Sequence, residues 1–271
     1  MGWFYNNDVA GRGVSKNPRR KKPFFRFWEL FGNKFVTLFK INLVYFLFCI
    51  PLVTFGPATA AMTAMMRNIY LERPQFIFHD FWQYFKKNFK QSLFIGILDV
   101  IVLGLTVFAF GYYFQLESRE TSQRVLFVIA VVAEVLFLMI NFYVYPQIAA
   151  LDLGLAGIFK NAVILVFANL PGELITLAVF LGYGALAFNF PIIMAVLFPF
   201  LPAAWMAFLS VFCCYPAIQK YLINPYYEKS GEKNPELPDE DNESALFHDM
   251  GGNETPIDVR DEKRRGGRII K

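Results

Sequence analysis

Two long stretches of the chain, residues 41–66 and 174–219, contain no Asp, Glu, Lys or Arg. A helix needs only about 20 apolar residues to cross a bilayer, so each stretch is long enough to hold at least one span. Proline and glycine mark where the apolar runs break, because Pro ends a helix and Gly permits a turn. On that basis Pro51, Gly56 and Pro57 divide the first run into helices over about 34–55 and 57–73. Further spans are expected over 91–116 and 125–147, then 174–189 and 193–220 with Pro191 near the turn. The result is an all-α, polytopic membrane helix bundle of about six transmembrane helices in three hairpins. For residues 36–73 two readings stand: two crossings, or a re-entrant hairpin buried by other helices.

An internal repeat supports the grouping in threes. Phe27-Trp28-x-x-Phe31-x-x-x-Phe35 returns as Phe81-Trp82-x-x-Phe85-x-x-x-Phe89, and more faintly as Leu155-Ala156-x-x-Phe159-x-x-x-Val163. A spacing of four places the aromatics on one helix face. Such a segment suits the membrane surface, with rings in the interface and charges in water. The repeating unit is read as an amphipathic interfacial helix, an outward span and a return span. Tyr145-Pro146-Gln147-Ile148 and Tyr215-Pro216-Ala217-Ile218 likewise close two of the return spans.

Composition agrees: hydrophobic residues make up 56% of the 271 and charged residues 18%, against about 25% charged in soluble domains. A soluble enzyme, a secreted disulfide scaffold and a sequence-specific DNA binder are all excluded on this ground. The net charge of +4 conceals a basic body and an acidic tail. Basic residues crowd beside the spans, seven of them before the first (Arg12, Lys16, Arg19, Arg20, Lys21, Lys22, Arg26), with more at Arg67, Arg73, Lys86, Lys87 and Lys90. The positive-inside rule then puts both termini in the cytoplasm of a multi-pass cell-membrane protein. Residues 1–23 and 228–271 are polar and cannot bury enough apolar surface to offset ordering, so both are expected to be disordered around a membrane domain at 24–227.

Little in the chain carries reactive chemistry. Cys49, Cys213 and Cys214 lie in apolar runs, and His79 and His248 are isolated from any ligand cluster. No catalytic, cofactor-binding or metal-binding residues are expected, and no specific nucleic-acid partner. Gly182-Tyr183-Gly184 is similar to a potassium-filter tripeptide, but Phe180-Leu181 stands where Thr-Val would supply further ligands. Three acids remain: Asp99, Glu134 and Glu173. Carboxylates inside a membrane are costly and mark candidate sites. Asp99 and Glu173 each follow the repeat's second Phe by 14 residues, where the first copy has Tyr45, and are expected to line one polar site. A structural role is the competing reading: Pro171 would set Glu173 in the first turn of a helix, where an acid is favoured.

Phe27-Trp28-Glu29-Leu30-Phe31-Gly32-Asn33, Lys40-Ile41-Asn42-Leu43, the run from Cys49 to Ala58 and the later Asp80-Phe81-Trp82 together carry a resemblance. This pattern resembles the YesL-like integral membrane proteins of Gram-positive bacteria, grouped as a domain of unknown function (DUF624). The resemblance implies a cell-membrane location and association with carbohydrate uptake of the ABC type, and no established activity. The expected function is therefore a non-enzymatic accessory of such a system. Its partners would be the lipid bilayer and ABC permease subunits, with homo-oligomerisation left open. The alternative is a stand-alone transporter or channel for a small solute that uses the intramembrane acids.

Overall fold

A computed structural model describes residues 22–115, 121–197, 199–200, 202–232 and 234–236. Ten α-helices are described: α1 (Pro23–Asn33), α2 (Phe35–Cys49), α3 (Phe55–Tyr70), α4 (Ile77–Gln115), α5 (Thr121–Ala150), α6 (Leu155–Ala168), α7 (Leu170–Asn189), α8 (Pro191–Leu197), α9 (Pro202–Ile218) and α10 (Asn224–Ser230). The three expected units are visible in this order, but each is built differently. In the first, the motif helix α1 and the apolar α2 meet at a 70° bend. In the second, motif and span fuse into one 39-residue helix, α4, so the interfacial segment is not a separate element. In the third, α6 and α7 are separated by a break at Asn169, with Pro171 and Glu173 in the first turn of α7.

Among the described residues, four helices are long and apolar enough to cross a membrane: α4, α5, α7, and α9 continued through α10. Counting the bent α1–α2 pair as one broken span makes five, rather than the six expected. The shortfall lies in the first hairpin. Its members have 15 and 16 residues, roughly 22–24 Å at 1.5 Å per residue, against a hydrocarbon core of about 30 Å. Helix α3 is instead the centre of the molecule. Fourteen of its residues are buried, and α2, α4, α5 and α9 surround it. A helix apolar around its whole circumference belongs in a core, and Ala58, Ala60, Ala61 and Ala64 let its neighbours approach closely.

The chain breaks before α3 at Pro51, followed by a 3₁₀ turn over Leu52–Thr54 that Thr54 Oγ1 closes onto the Phe48 and Pro51 carbonyls. Gly56 and Pro57 lie inside the first turns of α3 rather than at the break. Gly56 serves packing: a Cβ there would stand 2.0 Å from the Ser92 carbonyl oxygen and 2.8 Å from Gly96 Cα. Helices α3 and α4 therefore cross backbone to backbone at a glycine pair.

Polar groups fasten the other contacts. Ala204 sits in the first turn of α9, where backbone N–H groups have no intrahelical acceptor. Asn42 Oδ1, from α2, accepts that N–H at 2.8 Å in a fully buried setting. Pro146 and Pro216 both lie inside helices, where the ring removes a backbone donor. After Pro216 the chain loosens into a π-helical turn over Gln219–Ile223 before α10 begins. Gly182, Tyr183 and Gly184 are continuous with α7 and form no filter loop.

The repeated aromatics divide between two roles. Trp28, Phe35 and Trp82 are exposed, as interfacial rings would be. Phe27, Phe81 and Phe85 turn inward instead: Phe27 packs on Phe208 and Phe212, and Phe48 of α2 packs on Phe81 and Phe85. Phe31 and Phe89 are half-buried at the edge of these clusters. The motif is thus as much an anchor between units as a membrane-surface face. The spacing explains this, since the first and second Phe share a face while Trp is rotated off it by about 100°.

Candidate functional site

The position 14 residues beyond each unit's second Phe lies on α2, α4 or α7 and faces α3, α5 or α9 respectively. In the first unit, Tyr45 of α2 shares a hydrogen bond with Thr59 Oγ1 of α3 at 3.3 Å. In the second, Asp99 of α4 accepts from Asn141 Nδ2 at 2.8 Å and from the Tyr145 hydroxyl at 2.5 Å, both on α5. In the third, Glu173 of α7 accepts from Cys214 Sγ of α9 at 3.7 Å. The three equivalent positions therefore pin three hairpins. Asp99 and Glu173 have different partners on different helices, and their hydrogen bonds do not join them into one constellation.

Glu134 is held in the same manner. The Thr106 hydroxyl donates to Glu134 Oε2 at 2.8 Å while bonded to the Val102 carbonyl. Thr106 and Asp99 are seven residues apart on α4, so Glu134 and Asp99 bind at levels separated by about 10 Å along the axis. Glu134 and Thr106 are the polar members of a half-open, otherwise apolar groove of about 510 Å³ between α4 and α5, bordered by Leu105, Phe110, Phe127 and Phe137.

Among the three acids, Glu173 stands apart. Its side chain is fully buried, its Oε1 meets no hydrogen-bond partner among the described residues by distance and angle, and Thr176 and Tyr143 are close by. The Tyr143 hydroxyl accepts from Asn169 Nδ2 at 3.1 Å, and that amide also reaches the Cys213 carbonyl at 3.0 Å. The break between α6 and α7 is thereby tied to α5 and α9. An acid in the first turn of α7 also meets the positive end of the helix.

The Asp99 tie has a measurable strength. Polar contacts between membrane helices contribute about 0.6 kcal/mol on average, with a maximum near 1.7. A carboxylate accepting from both an amide and a phenol belongs at the upper end of that range. Tyr145→Phe and Asp99→Leu should therefore show a coupling energy of about 1–2 kcal/mol in a double-mutant cycle. Unfolding in mixed micelles measures it, and strictly additive losses would contradict the contact.

A second polar cluster lies at the other end of α3, and it went unrecognised in the sequence. Arg67, with its side chain 2% exposed, meets Glu236, with its side chain 1% exposed. Arg67 Nε and Nη2 both donate to Glu236 Oε1, and Nε also reaches the Tyr215 hydroxyl oxygen at 2.6 Å. That hydroxyl in turn donates to Glu236 Oε1 at 2.5 Å, while Gln219 Nε2 donates to Oε2 at 2.8 Å. Nearby, Arg26 bonds the Tyr70 carbonyl at 3.0 Å and Glu72 at 3.4 Å. Described structure thus continues past the expected boundary at residue 227: α10 extends to Ser230, and Asn234 turns Glu236 inward. Residues 237–271, the remainder of the expected tail, and residues 1–21 lie outside the described residues. Among the described residues, no group of three or more His, Cys, Asp and Glu side chains is placed to hold a metal, and Cys49, Cys213 and Cys214 are free thiols.

Long apolar helices, a buried central helix and polar ties within each hairpin define a polytopic helical membrane protein. Residues 38–110 match the family model described as "Protein of unknown function, DUF624". The match covers α2 from Leu38, all of α3 and most of α4, and agrees with the resemblance read from Lys40–Leu43, Cys49–Ala58 and Asp80-Phe81-Trp82, while Phe27–Asn33 lies outside it. No curated protein and no solved structure matches the chain.

Proposed function

We propose that this chain is a non-enzymatic accessory of a carbohydrate-uptake system of the ABC type in the cell membrane. In this reading both termini are cytoplasmic and the protein works by lateral helix contact with permease subunits. The uptake system comes from the YesL-like resemblance. The observation that favours an accessory over a conduit is the state of Asp99 and Glu134: each carboxylate is tied to a hydroxyl or amide of its own hairpin. Groups so engaged brace a bundle, whereas a conduit needs polar groups that can exchange partners with a passing solute. The α4–α5 hairpin, whose most apolar segments are largely unburied, supplies a face for either lipid or a permease helix.

The deciding experiment is a gentle-detergent pull-down of the tagged protein from its native membranes, with mass spectrometry of the co-purifying chains. A stoichiometric permease carries the proposal and names the solute class through the partner. Its absence, with solute flux by the purified protein alone in liposomes, would overturn it. One observation favours that second reading, a stand-alone transporter: the partnerless, fully buried Oε1 of Glu173.

A further inference from the structure

The Arg67 cluster has the chemistry of a receptor that the chain itself has filled. All the groups facing the Glu236 carboxylate are donors: the Arg67 guanidinium and the Tyr215 hydroxyl at Oε1, and the Gln219 amide at Oε2. These donors come from α3, α9 and the π-helical turn after α9. The Arg67 guanidinium also lies over the Tyr215 ring, 5.6 Å from its centroid, and Tyr70 meets that ring edge-on at 5.7 Å. The receiving groups are therefore held by the bundle. The occupant arrives on a short segment beyond α10.

The described residues of that segment make other attachments as well. Arg73 Nη2 reaches the Pro235 carbonyl at 2.8 Å in an exposed contact. Asn234 Nδ2 reaches Asn224 Oδ1 at 3.0 Å, and Asn234 Oδ1 accepts the Glu236 N–H at 2.9 Å. Gly231, at φ 69°, reverses the chain after α10. The Glu236 side chain, 1% exposed, is held at its carboxylate by Arg67, Tyr215 and Gln219.

We propose that Arg67, Tyr215 and Gln219 form a carboxylate-binding site, occupied by Glu236, and that the described residues Asn234, Pro235 and Glu236 belong to a strap whose seating depends on that occupancy. A guanidinium and a phenol at one oxygen and an amide at the other suit a carboxylate. A tethered occupant acts at an effective concentration of about millimolar or higher, so a free carboxylate competes poorly until Glu236 is removed.

Glu236→Ala tests this by chemical rescue, with sodium acetate as the probe and sodium chloride at equal ionic strength as control. The purified full chain in detergent should lose thermal stability on substitution, and acetate at about 10–100 mM should recover at least half of the lost Tm, with chloride recovering little. Trypsin should cut at exposed Lys229 several-fold faster in the variant. Acetate should leave that rate fast, because it fills the site without restoring the tether. Adding Arg67→Met should abolish the acetate response. Glu236→Gln, which keeps the side-chain volume, should show the same faster cleavage and serves if the alanine variant does not fold. Equal recovery by chloride, no recovery by acetate, or wild-type cleavage rates in both variants would each overturn the proposal.

Discussion

Alanine at Gly56 will destabilise the bundle by about 3 kcal/mol, at or above the upper end of the usual overpacking range. The methyl group would stand 2.0 Å from the Ser92 carbonyl and within 2.9 Å of two Gly96 backbone atoms. Side chains can rotate away from an intruder, but backbone atoms of a packed helix cannot. Relief requires α3 and α4 to separate, and that separation would loosen the helix every other unit packs against. Gly96→Ala should behave alike, since its Cβ would meet Gly56 Cα at 2.5 Å. Gly104 supplies the control on the same helix. Nothing lies within 4 Å of a Cβ placed there, so Gly104→Ala should be neutral or stabilising by about 0.5–1 kcal/mol. Unfolding midpoints in mixed micelles read all three variants. A Gly56→Ala protein as stable as wild type would mean that the helices do not cross at this pair.

The Arg67–Glu236 pair should give unequal losses depending on which partner is removed. Breaking a buried pair costs about 3–5 kcal/mol when the remaining charge stays buried. Glu236→Ala leaves Arg67 on the central helix without this carboxylate, so where no added anion takes its place this variant should suffer a loss in that range. Arg67→Met leaves Glu236, which can depart with its strap and regain water. Its cost should be nearer about 1–3 kcal/mol, the value of the hydrogen bonds given up. Paired unfolding measurements decide the order, and a larger loss for Arg67→Met would show that the strap cannot release its carboxylate.

Several features of this architecture are legible in the sequence because they are periodic. The Phe-Trp repeat predicts the units, and its offset of 14 residues leads to Tyr45, Asp99 and Glu173, each of which bonds to another helix of its own hairpin. The long uncharged runs predict an all-α membrane bundle. What escapes is whatever depends on a partner distant along the chain. Gly56 reads as a turn residue beside Pro51 and Pro57, and its actual neighbour, Gly96, is 40 positions away. Glu236 lies among acids and prolines, where a charge reads as solvated, and its burial is decided by Arg67, 169 positions earlier. The count of candidate spans, four or five among the described residues against about six expected, differs for a related reason. Apolar composition does not distinguish a helix facing lipid from one facing other helices, and α3 is of the second kind. The fusion of motif and span in α4 leaves no mark either, since residues 81–95 contain neither Pro nor Gly to separate the two.

That fusion gives the second unit a mechanical character the others lack. The first unit has a 70° elbow at Lys34 and the third a break at Asn169, so a push on either motif helix can be absorbed at the joint. Helix α4 is a rod of about 58 Å by its 39 residues at 1.5 Å each. Tilting such a rod by 5° about its middle moves each end by about 2.5 Å, about half a helical turn. Its crossing with α3 at Gly56 and Gly96 lies close to mid-length and forms a natural fulcrum. Displacement at the Trp82 end would then emerge, reversed in direction, at the Phe110 end. The second unit is a lever set between two hinged ones.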